Sequence, residues 1–128
     1  MSVGLASTQN GPTNPLRIGN VYFKPSDYNP GFKVFFRVVL ETTDPGHQAN
    51  IDLVDVNNVL GNGAGAEVPG SLLQTTNTTG TDLEVELNAA GGNLETLGSN
   101  IMLLARIWLT TTLAGQSVTC SHAAILVQ

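Results

Sequence analysis

Three acids at alternate positions, Asp82, Glu84 and Glu86, form the densest set of chemically capable residues in the chain. On a strand they share one face at a spacing of about 7 Å, where two carboxylates can divide the work of acid and base if their surroundings separate their proton affinities. The plainer reading is a solvated strand whose like charges discourage further pairing, and it is preferred here. Cys120 and His122 pair a thiol with a base two positions away on one strand face. Side chains at i and i+2 stand parallel rather than meeting, so the thiol reads as buried and inert. Asp44, Asp52 and Asp55 are oxygen ligands by type, but they lack the regular spacing of a calcium loop. His47 and His122 have no companion at a metal-ligand spacing. The run GNGAG, residues 61–65, has the glycines of a phosphate-cradling loop, yet Pro69–Gly70 stands where such a loop needs a helix. Asn77–Thr78–Thr79 matches the glycosylation sequon in isolation. No catalytic, cofactor-binding or metal-binding residue is assigned, and the chain is expected not to be an enzyme.

Binding chemistry is better represented. An exposed aromatic ring can stack on a sugar or anchor a partner chain, and Tyr22, Tyr28, Phe35 and Trp108 are available for this. Trp108 shares its strand face with Arg106 and reads as a contact for a partner chain. The residues expected to form an interface or ligand platform are Leu5, Pro12, Pro15, Tyr28, Arg106 and Trp108.

These residues need elements to hold them. FKVFFRVVLETT, residues 32–43, sets Phe32, Val34, Phe36, Val38 and Leu40 on one parity and Lys33, Arg37 and Glu41 on the other. That period of two predicts a long half-buried strand. IMLLARIWLTTTL, residues 101–113, behaves the same way: Ile101, Leu103, Ala105, Ile107 and Leu109 alternate with a face that carries Arg106. It is too short to cross a bilayer, and its threonine run disfavours a helix. RIGNVYF (17–23), IDLVDV (51–56), DLEVELN (82–88) and SVTCSHAAILVQ (117–128) predict further strands, with short ones at Val59–Leu60 and Leu72–Thr76. Ile51 and Leu53 are expected inward, with an irregularity near Val54. KPSDYNPG (24–31) and DPGHQAN (44–50) are turn chemistry, and Asn93 to Leu97 can hold one helical turn. The pattern predicts an all-β fold, a single antiparallel β-sandwich of seven or eight strands with jelly-roll or other Greek-key connectivity. An immunoglobulin-type sandwich fits less well, because Cys120 is the only cysteine. Residues 1–15 lack periodicity and read as a flexible N-terminal arm before a domain spanning 16–128. Two readings stay open, a terminus that stays flexible and an arm that orders only against a neighbouring subunit, and its removal is expected to leave the fold intact but weaken assembly.

Composition narrows the partners. Of the 128 residues, 12% are charged, against roughly 25% in ordinary globular chains, so Thr, Asn, Ser, Gln and Gly must build much of the surface. Net charge is −5, and the five basic residues, Arg17, Lys24, Lys33, Arg37 and Arg106, are scattered. Counterion release from nucleic acid and attraction to an anionic membrane both need clustered cations, so neither partner is expected. The first residues have neither the basic stretch nor the apolar core of a secretory signal, and synthesis in the cytoplasm is expected.

The run RIGNVYFKPSDY, then FKVFFRVVLETT, IDLVDVNN, QTTNTTGTDLEVEL and VTCSHAAILV, resembles the small β-sandwich proteins of bacteriophage particles, which decorate capsids or form parts of tails and fibres. The resemblance runs from Arg17 to the end and carries no site motif, so it transfers no functional residue. It implies a non-enzymatic structural protein of the virion that binds capsid or tail subunits and self-associates, commonly as a trimer. Without a coiled-coil or repeat segment, decoration or an adaptor role is expected rather than a fibre shaft. The alternative is a carbohydrate-binding module or receptor-binding sandwich taking a glycan, and no cofactor is expected in either case.

Overall fold

The computed structural model describes residues 2–6, 9–11, 15–87, 94–110 and 116–128. The strands are β1 (Ser2–Ala6), β2 (Gln9–Gly11), β3 (Leu16–Phe23), β4 (Val34–Thr42), β5 (Ala49–Asp55), β6 (Ala66–Glu67), β7 (Leu73–Thr75), β8 (Thr81–Glu86), β9 (Ile101–Leu109) and β10 (Val118–Val127). They form two antiparallel sheets. In the first the order is β1-β10-β4-β8, with β2 also paired to β10; in the second it is β3-β9-β5-β6, with β7 also on β5. Taken as one interrupted strand each, β1/β2 and β6/β7 reduce the set to eight. The pairs then nest, first with last and inward: β1 with β10, β3 with β9, β4 with β8, β5 with β6/β7. Rolling such a long hairpin, so that β10 also meets β4 and β9 also meets β5, gives a jelly roll.

Alternation explains why these segments are strands. Along β9 the odd residues are buried and the even ones half-buried, and β4 buries Val34, Phe36, Val38 and Leu40 in the same rhythm. Phe36, Leu40, Ile51, Leu53, Ile101, Leu103, Ile107 and Ile125 are fully buried between the sheets, so the inner faces make one continuous core. β5 is buried on both faces, because its outward residues Asn50 and Asp52 are covered by the side chains that bond them, Gln74 and Arg106. Its ladder with β9 runs without a register shift through Asp55, so the irregularity expected near Val54 is absent.

The structure departs from the sequence pattern at three further places. The short strand expected at Val59–Leu60 is a loop, and pairing resumes at Ala66–Glu67. The residues expected as a free arm include β1 and β2, which run along the edge of β10. β10 ends in an apolar AILV run on both parities, and a neighbouring strand on that edge satisfies its backbone. On β10 itself the ladder shifts between Cys120 and His122. That bulge breaks the simple parity, so Cys120, Ala123 and Ile125 are buried while Ser121 and His122 are exposed.

Between β3 and β4 the chain makes a tight corner. A single turn of 3₁₀ helix at Pro25–Asp27 is closed by Tyr28 N–H donating to the Pro25 carbonyl at 3.2 Å. Gly31 then takes φ +88°, a conformation that a side chain resists. A second 3₁₀ turn, Leu94–Thr96, packs near it ahead of β9, as the expected helical turn there foreshadows.

Candidate functional site

The outer face of the second sheet holds the expected pair Arg106 and Trp108. Both lie on the even parity of β9, and the Arg106 guanidinium carbon sits 5.7 Å from the centre of the Trp108 ring, a cation–π contact. Arg106 also makes a two-pronged bond to its cross-strand partner Asp52: Nε donates to Oδ1 at 2.9 Å and Nη2 to Oδ2 at 2.6 Å. The Asp52 side chain is only 3% exposed, against 29% for Arg106, so the pair seals a charge into the sheet. The bond to Asp52 raises the guanidinium's proton affinity above its ordinary value. Beside them, desolvation first and the Asp52 charge second push the Glu67 carboxyl up, partly offset by Arg106.

One row along, Asn50 is buried but fully engaged. Its Nδ2 donates to the carbonyls of Gln48 and Trp108 and to Thr110 Oγ1, while its Oδ1 accepts from Gln74 Nε2. On the other flank, Arg17 faces Arg106 across β3 and β9, with a hollow of about 250 Å³ between it, Val54, Leu104 and Gly65. Half-buried Met102 and Leu104 and exposed Asn20 and Tyr22 also lie on this face.

Of the other expected platform residues, Pro15 is exposed and stands one residue before Leu16, the partner of Ile107, at the Trp108 end of the sheet. Tyr28 lies elsewhere. Its ring stacks on Phe23 at 5.5 Å and 17° and meets Phe32 at 5.3 Å. Phe23 pairs with Ile101, seven residues along β9 from Trp108, so Tyr28 and Trp108 are roughly 20 Å apart and cannot share a small ligand. Leu5 falls on β1 with its side chain outside the described residues, and Pro12 lies outside them altogether.

The reactive combinations weighed from the sequence come apart. Arg37 binds both carboxylate oxygens of Asp82 and holds that carboxyl below its ordinary range, Glu84 faces Arg37 across the ladder, and Lys33 stands 4.0 Å from Glu86. The acidic row on β8 is thus a sheet edge balanced by Arg37 on β4 and Lys33 just before it. Cys120 and His122 do not share a face, contrary to expectation, because the bulge turns His122 outward. The buried Cys120 thiol donates to the His122 carbonyl at 3.2 Å, and burial pushes it up to about 11. Asp44, Asp52 and Asp55 serve three separate tasks. Asp44 accepts from Gly46 N–H, Asp52 holds Arg106, and Asp55 accepts from the N–H groups of Val59 and Leu60. The last pair, with Asn58 accepting from Gly63 N–H, organises the glycine loop around its own side chains.

Sequence reasoning missed the Arg106–Asp52 bond, whose only signal is an acid and a base on facing strands of unknown register. It also missed Ser26, Glu95 and Asn100, which line a cleft beside Tyr28. No family model matches the chain, and neither a curated protein nor a solved structure matches it.

Proposed function

We propose that this jelly roll is a non-enzymatic structural protein of a virion or phage-like particle, a capsid decoration or adaptor subunit that binds copies of itself and other coat or tail proteins. The observation that carries the reading is the outer face of the second sheet. Tyr22, half-buried Met102, Leu104 and Trp108 lie along it, with Arg106 between the last two and neutralised by Asp52. A flat face of this kind gains by burial against another flat face, and carries little net charge to repel a copy of itself. Individually weak contacts then multiply when many subunits sit on one particle.

Light scattering on the full chain across a range of concentrations tests the reading. The wild type is expected to run above its monomer mass. Leu104→Glu places a charge on this face and is expected to run as a monomer with an unchanged β-sheet circular dichroism spectrum. A wild type that stays monomeric at every concentration, or a Leu104→Glu protein that assembles as well as the wild type, refutes this use of the face.

A further inference from the structure

A second site lies at the end of the sandwich, away from that face. The corner between β3 and β4 stands across from residues 95–100, and the two enclose a cleft of about 320 Å³, within the roughly 300–1,000 Å³ typical of ligand pockets. One wall is aromatic: Tyr28 and Phe32, braced from behind by Phe23 at 5.5 Å and 6.2 Å between ring centres. The rest mixes apolar Pro25, Pro30 and Leu97 with exposed, neutral Ser26, Thr96 and Asn100 and one carboxylate, Glu95. Glu95 Oε2 is shielded from solvent and has no hydrogen-bond partner among the described residues. That oxygen is closed to the water-filled cleft, and the half-buried Glu95 side chain supplies the one charge on the cleft wall.

The lining chemistry selects the ligand. None of the lining residues is basic, so an anion finds no counter-charge and meets Glu95 instead. A cation would use the carboxylate and a ring but leave the neutral hydroxyl and amide groups idle. Vicinal hydroxyls use all of them: they donate to the carboxylate, exchange bonds with Ser26, Thr96 and Asn100, and leave the C–H face of the sugar ring for the aromatic wall. We infer that this cleft binds a neutral carbohydrate, with one pyranose residue against Tyr28 and its hydroxyls on Glu95. The site does not depend on the assembly face, and assembly measurements do not read it.

The full chain applied to a glycan array, followed by titration calorimetry with the best saccharide and with arginine methyl ester, tests the assignment. Binding of at least one neutral glycan is expected. Glu95→Gln keeps the shape but removes the charged acceptor, and is expected to weaken that binding tenfold or more. Thr96→Trp fills the cleft from an exposed position and is expected to abolish it, with thermal unfolding of both variants near that of the wild type. The inference is overturned if no neutral glycan binds, if binding survives both substitutions, or if arginine methyl ester binds better than every saccharide.

Discussion

Arg106 and Asp52 show how a single contact can be essential without being favourable overall. Asp52 is buried, so its charge is tolerable only because two guanidinium nitrogens reach it. Removing Arg106 alone strands that charge. Arg106→Met is expected to cost a large part of the roughly 3–5 kcal/mol typical of a broken buried pair, reduced because the guanidinium is partly solvated. The double variant Asp52→Leu with Arg106→Met is expected to recover most of that loss. Urea unfolding of the three proteins measures both steps, and a double variant as unstable as the single one would show that the pair itself is stabilising. Cys120 gives a second measurement. Its thiol ionises near 9.0 when free of the fold and near 11 within it, because burial disfavours the thiolate. The folded value is the higher one, so the associated stability is complete below about pH 9 and is lost as pH rises toward 11. Cys120→Ala should flatten that alkaline decline, and the native wild type at pH 8 should resist a thiol-specific dye until it is unfolded. At this scale the sequence was partly legible. The types of Asp52 and Arg106 were visible but their pairing was not, because register sets it.

At the scale of elements, regular alternation was the reliable signal. β4 and β9 follow their two-residue period from end to end, since each has one face against the core and the other turned outward. β10 was harder to read, because its bulge shifts the parity between Cys120 and His122 and moved the histidine to the opposite side from the one expected. β1 was missed for a different reason. Ser2–Ala6 is short and weakly patterned, and its strand character comes from pairing with β10 rather than from its own residues. Deletion of residues 2–11 therefore tests more than an arm. It uncovers one edge of β10, and is expected to lower stability by more than about 1 kcal/mol, a shift of several degrees in Tm, and to raise scattering from edge-to-edge association. A truncated protein that melts like the wild type would show that β1 and β2 contribute little to the fold.

On the scale of the whole molecule, the class of fold could be read from turns and alternation, but the order of strands could not. The chain pairs first with last and inward, so nearly every ladder joins distant parts of the sequence, and local patterns say nothing about which strand meets which. The cleft beside Tyr28 escaped notice for the same reason. Ser26 and Glu95 sit in separate corners that only the rolled sheets bring together, whereas the assembly face on β9 was half visible because Arg106 and Trp108 lie two residues apart. The place of β10 between β1 and β4 has a consequence for how the molecule is made. β10 follows both of its neighbours in the chain, so as the polypeptide leaves the ribosome neither has its shared partner until residues 118–127 emerge. Until then half of the sandwich is an open seam with its apolar lining bare. Closure is a late, slow event, and a nascent chain stalled before it is exposed to chaperone capture or to fusion with its neighbour on the same message.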